Sequence, residues 1–400
     1  MCLHGARVVH RVHNIVKNKS RSSHALDNMR KRENLRNNRD LSEDQKTSIF
    51  YTYASFEMIA HVIAYDLAIH KNPGSVAYNV LDDDGQCRIY RPIKILTKNQ
   101  GIVCFALIPD ELTNDNSRMH VLFRGTHDFL SVLRDLESAG PGHQSFFDER
   151  EGFLQQLNGH VGNVYQRTGQ KVKLSVSGHS LGGADAQNAS ATIIKAMAHN
   201  RDDLHDVPMY EQKFAQKIRH NLVHVAELNI AHLNSVGVTK QIAQECTYDA
   251  TFLAAVSTPE NKISINLHAL RVENDRVQKT GQTNILSDID CRAAKVDVLY
   301  VKATDVAADN DYSSEGFLSF LGRMLLQGIT KFITQLKDAH CTCHFTDERK
   351  NEMHYYRNTS NVGHKVIKKH LTDKSAVENS SITAFFKLAI HSILKKGSGL

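Results

Sequence analysis

A serine flanked by glycines is the first feature of this sequence that could do chemistry. Ser180 lies in the segment GHSLGG, residues 178–183, between the apolar stretch VKLSV and the helix-like stretch ADAQNASATIIKAM. Glycines at 178 and 182 remove the Cβ atoms that would crowd a sharp strand-to-helix turn, which would expose the serine hydroxyl at the end of a sheet. The positive end of the following helix can stabilise negative charge there. The pattern predicts a nucleophilic serine; a glycine-rich turn with a purely structural role is the alternative.

A second motif lies upstream. Residues 123–126 spell FRGT at the end of the predicted strand RMHVLF. Together, the GHSLGG and FRGT motifs resemble those of the class 3 lipase family of α/β-hydrolases, and the resemblance extends over roughly residues 45–345. It implies that Thr126, through its hydroxyl and backbone N–H, and the backbone N–H of Leu181 form an oxyanion hole. An ordinary strand end is the alternative interpretation of FRGT.

A serine nucleophile needs a histidine base and a carboxylate that orients the histidine. In α/β-hydrolases the chain order is serine, acid, histidine. Asp275, in LHALRVENDRV just past a predicted strand, is the favoured acid, while Asp288 and Asp290 in LSDIDC are less well placed. The structural alternative is that Asp275 only caps a turn.

The base has to be chosen from a large set, because the chain contains 23 histidines. His340 is favoured because it closely follows a predicted helix over 315–336, where a loop could return it to the edge of the sheet, and His344 is the alternative base. The further candidates downstream are His354, His364 and His370.

The segment HCTCH, residues 340–344, also allows a metal interpretation. Its histidines and cysteines are metal ligands by type, but they are too closely spaced for four of them to surround a tetrahedral zinc ion. A partial site completed by residues from elsewhere in the chain is the alternative. The hydrolytic chemistry predicted above requires no metal and no organic cofactor.

The elements that must position these residues alternate between apolar strands and amphipathic helices. Helices are predicted over residues 49–67, 150–167, 184–198 and 315–336. Strands are predicted on both sides of an Asp-Gly turn within 75–96, within 101–109, and over 119–123, 172–177, 250–256, 264–272 and 295–302. This order predicts an α/β fold with a mostly parallel sheet covered by helices. The resemblance implies that the fold is that of an α/β-hydrolase.

The chain divides into three predicted regions. Residues 1–41 are predicted to be a flexible basic arm, because residues 1–40 carry ten Lys or Arg against three acids and little apolar periodicity. Residues 42–375 are the predicted hydrolase domain, with a charged, histidine-rich helical insertion at about 199–249. Residues 376–400 are predicted to form a C-terminal amphipathic helix.

The composition limits the cellular locations and the binding partners that can be expected for this protein. No apolar run approaches the roughly 18 residues of a membrane span and no export signal is recognisable, so a cytoplasmic protein or one delivered by a non-Sec route, as for a bacterial effector, is expected. The seven cysteines form no Cys-x-x-Cys pair and favour a reducing compartment. Nucleic-acid binding is not expected, because the basic arm has no motif and no interleaved aromatics. The arm or the C-terminal helix could make peripheral contact with a membrane. The alternatives are that the arm is simply solvated and that the helix docks on the protein's own core.

These features predict a serine hydrolase that cleaves carboxylic esters of lipids through an acyl-enzyme, as a lipase or a phospholipase A does. A lipid ester is the substrate that the resemblance implies. A soluble short-chain esterase is the alternative within enzymes. A catalytically silent hydrolase fold that serves as a binding or effector module is the alternative outside them.

Overall fold

The structure of the chain is a computed structural model. It describes residues 41–69, 73–96, 102–113, 116–125, 140, 142–199, 221–257, 262–272, 275, 281–285, 288–302 and 352–357. The features predicted elsewhere lie outside the described residues, namely the arm at 1–40, Thr126, the helix at 315–336, His340, His344 and the helix at 376–400.

One sheet of nine strands runs through the described part of the protein, and its strands are neighbours in the order of the sequence. The strands are β1 Tyr78–Leu81, β2 Cys87–Leu96, β3 Cys104–Pro109, β4 Arg118–Phe123, β5 Val172–His179, β6 Val225–Leu233, β7 Ser264–Val272, β8 Lys295–Lys302 and β9 Glu352–Arg357. β1 to β4 pair antiparallel, β4 to β8 pair parallel, and β8 pairs antiparallel with β9. The sheet is therefore mixed: its central five strands are parallel as predicted, and both flanks are antiparallel.

Helices pack on both faces of this sheet, which makes the architecture α/β. They are α1 Glu43–Glu57, a π-helical segment Met58–Ile63, α2 Ala64–Ile69, α3 His143–Thr168, α4 Leu181–His199 and α5 Lys240–Val256. A capping box begins α1, because the Ser42 side chain accepts from the Gln45 N–H and the Gln45 side chain accepts from the Ser42 N–H. Within the described ranges, no helix is both long enough and apolar enough to cross a membrane.

Two apolar cores lie on opposite faces of the sheet. Successive strand residues point to opposite faces, so Val121 and Phe123 of β4 pack in one core and Leu122 packs in the other. The first core contains the buried sides of α3, α4 and α5, and the second contains those of α1, the π-helical segment and β1. The central strands are consequently buried on both faces, and function has to be sought at their ends.

The region between β5 and β7 differs from the prediction. Residues 225–233 form β6, which pairs with both β5 and β7, and so do not belong to a helical insertion at 199–249. Its polar residues suggested a solvated helix, but Glu227 and Asn229 alternate with apolar neighbours and share a hydrogen bond of 2.8 Å on one face of the sheet. That alternation is the pattern of a strand with one partly polar face.

The predicted strand at 250–256 is also wrong, because these residues are the last turns of α5. Thr239 caps this helix, accepting a hydrogen bond from the Ile242 N–H at 3.3 Å. The run TFLAAV is too short for periodicity to distinguish helix from strand. The buried residues farther back settle it, since they recur at the helical spacing of three and four, at Ala243, Cys246, Ala250 and Leu253.

Candidate functional site

Ser180 occupies the turn between β5 and α4 in a strained conformation. Its φ angle is +59°, in the left-handed region that residues other than glycine rarely adopt. The Ser180 N–H donates to the Leu233 carbonyl at 3.1 Å, and the Gly183 N–H donates to the Ser180 carbonyl at 2.9 Å. These bonds hold the turn against a conformational cost of about 1–3 kcal/mol. A strained serine thus lies where a parallel strand passes into a helix, which is the geometry of a nucleophile elbow.

Glycines allow the backbone to close around this serine. A Cβ atom on Gly178 would lie 2.0 Å from the Gly182 carbonyl oxygen, and one on Gly182 would lie 2.4 Å from the Phe123 carbonyl oxygen. A Cβ atom on Gly125 would lie 2.5 Å from the His179 carbonyl oxygen. All three distances are far shorter than a van der Waals contact, and the oxygens belong to backbone that cannot move aside. The end of β4 therefore packs directly against the serine turn, and the two sequence motifs meet.

The first turn of α4 faces the same place. Leu181 is the first residue of α4, where backbone N–H groups have no partner within the helix and the helix dipole is positive. Gly125, the residue before Thr126, is buried, and a Cβ atom built on it would lie 3.3 Å from the Ser180 Cβ. The arrangement can therefore direct backbone donors at an anion that forms on an acyl group bound to Ser180.

Asp275 lies at the same edge of the sheet as Ser180. β5, β6 and β7 are parallel, Ser180 follows β5, and Asp275 follows β7. Asp275 is 4% exposed, and its N–H donates to the Val272 carbonyl at 3.4 Å. The two other candidate acids lie differently, since Asp288 is exposed and Asp290 forms a 2.8 Å ion pair with Arg292.

A buried arginine accompanies Asp275. Arg271, on β7, is 2% exposed, and its Nη1 donates to the Ser235 carbonyl at 2.9 Å. Burial lowers the pKa of Arg271 to about 10, and the negative charge of Asp275 opposes that change. Asp275 therefore balances a buried positive charge, which is a more specific structural role than capping a turn.

Two described histidines lie beside the serine turn. His179 directly precedes Ser180 and is 5% exposed, and its ring centroid is 4.8 Å from that of His61 in the π-helical segment. His61 Nδ1 lies 3.3 Å from Glu57 Oε1, four residues earlier. A carboxylate–histidine pair thus approaches the site from the helix that precedes the sheet, in addition to the bases predicted after it.

Tyr65 completes this group, which sequence analysis missed. Its hydroxyl oxygen lies 3.3 Å from His179 Nδ1, and a Cβ atom on Gly125 would lie 2.3 Å from the same oxygen. The available signal was the spacing of Glu57, His61 and Tyr65, four residues apart, because side chains so spaced lie on one side of a helix. The sequence analysis predicts only a helix over residues 49–67 here and assigns it no functional residue.

The described residues do not assemble a metal centre. They contain no group of three or more histidine, cysteine, aspartate or glutamate side chains placed to hold a metal ion. Cys104 and Cys246 are buried, and burial raises the pKa of both thiols, that of Cys246 to about 12. Thiols that stay protonated are poor ligands and poor nucleophiles. The HCTCH segment lies outside the described residues.

Comparison with known proteins adds little. No protein-family model matches the chain, and no curated protein matches it. Part of the chain is similar to a solved structure, the extracellular lipase LipA from Serratia marcescens, with 18% sequence identity and a TM-score of 0.22. The similarity covers 46% of this chain and 26% of the lipase chain, so the chain spans about a quarter of that protein's length. A likeness at this level carries no inference, and the function has to come from the geometry of the chain itself.

Proposed function

We propose that the protein is a serine hydrolase that cleaves carboxylic esters of lipids, with Ser180 as the nucleophile. The observation that carries the proposal is the positive φ angle of Ser180 in a glycine-closed turn. That conformation is costly, and it places the Ser180 side chain, which is 6% exposed, next to the N–H groups that begin a helix. The meeting of the GHSLGG and FRGT motifs, whose resemblance is to class 3 lipases, supports a lipid ester as substrate and an α/β-hydrolase architecture.

In the proposed reaction, the Ser180 hydroxyl oxygen attacks the acyl carbonyl carbon while His340, oriented by Asp275, takes the hydroxyl proton. The negative oxygen of the tetrahedral intermediate accepts hydrogen bonds from Thr126 and from the Leu181 N–H. The intermediate then collapses, and the alcohol leaves with the proton from the histidine. Water, deprotonated by the same histidine, attacks the acyl-enzyme, which releases the fatty acid and restores the serine.

The remaining parts of the proposal concern location and partners. The hydrolase domain spans residues 42–375, and the substrate is a lipid ester at an interface. The basic arm at 1–41 or the amphipathic helix at 376–400 provides peripheral contact with that interface. The protein acts in the cytoplasm or is delivered by a route other than Sec.

Labelling with a fluorophosphonate probe tests the nucleophile, because such probes react covalently with activated serines. We expect the wild type to be labelled and Ser180→Ala to be unlabelled. Ser177→Ala is the matched control, since Ser177 is on β5 just before the turn and is fully buried, and its hydroxyl has no hydrogen-bond partner among the described residues. Labelling that persists in Ser180→Ala would refute the assignment. A wild type that is never labelled would favour the silent binding or effector module.

The same assay identifies the base and the kind of ester. His340→Ala is expected to abolish labelling, and a loss confined to His344→Ala would transfer the role to His344. Hydrolysis of an acyl ester is then measured below and above the concentration at which the ester aggregates. A rate that rises at aggregation supports a lipid interface as the substrate, and a rate that does not rise supports the soluble short-chain esterase.

A further inference from the structure

The Tyr65 hydroxyl lies in the crevice between the end of β4 and the Ser180 turn. A Cβ atom built on Gly125 would be 2.3 Å from the Tyr65 hydroxyl oxygen and 3.3 Å from the Ser180 Cβ. The hydroxyl and the serine side chain therefore both lie close to one point beside Gly125. The tyrosine reaches this point only because residue 125 has no side chain.

The hydrogen bond between Tyr65 and His179 determines where the Tyr65 proton points, because the imidazole tautomer decides which of the two groups donates. Tyr65 Oη and His179 Nδ1 are 3.3 Å apart. When Nδ1 carries the imidazole proton, it donates to the tyrosine oxygen and turns the tyrosine O–H away from the imidazole. Packing fixes the position of the His179 ring. The residue is 5% exposed, and the ring contacts those of His61 and Tyr65 at centroid distances of 4.8 and 6.1 Å.

The π-helical segment brings Tyr65 to the site. The Ala64 N–H donates to the Ile59 carbonyl, five residues earlier, so the helix widens just before Tyr65. π-Helical turns are rare and occur often at functional sites. The 3.3 Å contact between Glu57 and His61 joins the two helical turns that precede Tyr65. The helix therefore presents a fixed phenol, and not a mobile surface side chain, to the end of β4.

We propose that Tyr65 is a further catalytic residue, which donates a hydrogen bond to the carbonyl oxygen of the substrate ester as that oxygen becomes negative. This inference rests on the proposed function of Ser180. The phenol would supplement the Leu181 N–H as a donor to the oxyanion. A hydrogen bond to a charged group that forms only in the transition state is worth about 10- to 100-fold in rate.

Tyr65→Phe tests the donor, because it removes one hydroxyl and keeps the ring packing. On a soluble chromogenic ester we expect kcat to fall about 10- to 100-fold and KM to change less than about twofold. Tyr90→Phe is the matched control, since it removes a buried tyrosine hydroxyl that donates to Asp82 at 2.9 Å, at the other end of the sheet. We expect it to lower the melting temperature and to leave kcat unchanged.

The outcomes separate this inference from the proposed function. If Ser180→Ala keeps full activity, the proposed function fails. If Ser180→Ala is inactive and Tyr65→Phe keeps the wild-type kcat, or changes KM alone, only the role of Tyr65 is overturned. If Tyr65→Phe lowers both kcat and the melting temperature, the assay is repeated well below the transition. A kcat loss that persists there supports catalysis, and one that disappears overturns it.

Discussion

Two serines, Ser175 within β5 and Ser180 directly after it, lie in contrasting surroundings. Ser175 hydrogen bonds to His120 Nδ1, and His120 Nε2 lies 3.1 Å from Asp82 Oδ1, which makes a continuous serine–histidine–aspartate chain. Ser180 has no such chain among the described residues, yet it has the positive φ angle and the helix start. Ser175 is in extended strand and beside a cavity of about 20 Å³, room for about one water molecule. Connected side chains therefore do not suffice for a nucleophile, which also needs space for an acyl group and donors for its oxygen.

The Ser175 network instead holds the antiparallel flank of the sheet to its parallel centre. Asp82 follows β1 and is fully buried, and it accepts hydrogen bonds from Tyr90 at 2.9 Å and Arg88 at 2.7 Å in addition to its contact with His120. Arg88 and Tyr90 belong to β2, His120 to β4 and Ser175 to β5, so the network joins three strands to the residue that follows β1. A buried carboxylate with this many donors stabilises the fold.

Gly178→Ala is expected to disrupt the Ser180 turn without touching the Ser175 network, and it has the largest expected effect. The new methyl would meet the Gly182 carbonyl oxygen at 2.0 Å, which no side-chain rotation relieves. We expect the free energy of unfolding to fall by more than about 3 kcal/mol and fluorophosphonate labelling to disappear. Urea unfolding and gel fluorescence measure both effects. A variant that is labelled like the wild type would show that the turn is not as tight as the structure has it.

Asp82→Asn disrupts the Ser175 network instead of the Ser180 turn. It weakens a buried, charge-assisted network, so we expect a loss of about 2 kcal/mol in the free energy of unfolding at pH 7. Labelling of Ser180 should be unchanged at temperatures where the variant is folded. Lost labelling in a folded Asp82→Asn protein would mean that the two ends of β5 are coupled and that the contrast between them is false.

The pH dependence of that loss sharpens the contrast. Burial raises the pKa of Asp82, but the hydrogen bond and charge of His120 and the hydrogen bond of Arg88 together hold it below its usual range. A depressed carboxyl pKa stabilises the folded state fully above the unfolded value of about 3.9, and the stabilisation is lost as the pH falls through the lower folded value. The difference between wild type and Asp82→Asn should therefore shrink below about pH 4. A difference that grows on acidification would contradict this assignment.

Gly159→Ala provides the small effect against which the others are judged. Gly159 is exposed in the middle of α3, and nothing lies within 4 Å of its Cβ position. We expect the variant to gain about 0.5–1 kcal/mol in stability, because alanine is the better helix former, and to be labelled normally. A loss of stability here would remove steric contact as the explanation for Gly178→Ala.

The sequence predicted the serine turn because its determinants are local. The strand, the glycines and the helix start all lie within about ten residues of Ser180, and each follows from backbone sterics. β6 and α5 were misassigned because their polarity depends on what covers them. Glu227 is partly buried on a sheet face, and the end of α5 is an apolar run of a length shared by strands and helices.

The role of Tyr65 lay beyond local patterns for a different reason. Its spacing from Glu57 and His61 was visible, but the spacing does not say which element the helix face meets. Only the packing of the π-helical segment against β5 shows that this face meets His179 and Gly125. Asp275, His340, His344 and Thr126 keep the roles predicted for them as proposals.

The π-helical segment also bears on how relatives of this chain would be recognised. A π turn accommodates one residue more than an α turn, and the helices on either side of it keep their own registers. A related chain with an uninterrupted α-helix would therefore be one residue shorter between Met58 and Ile63. Aligning the two would require a gap inside a helix, where alignments ordinarily penalise one.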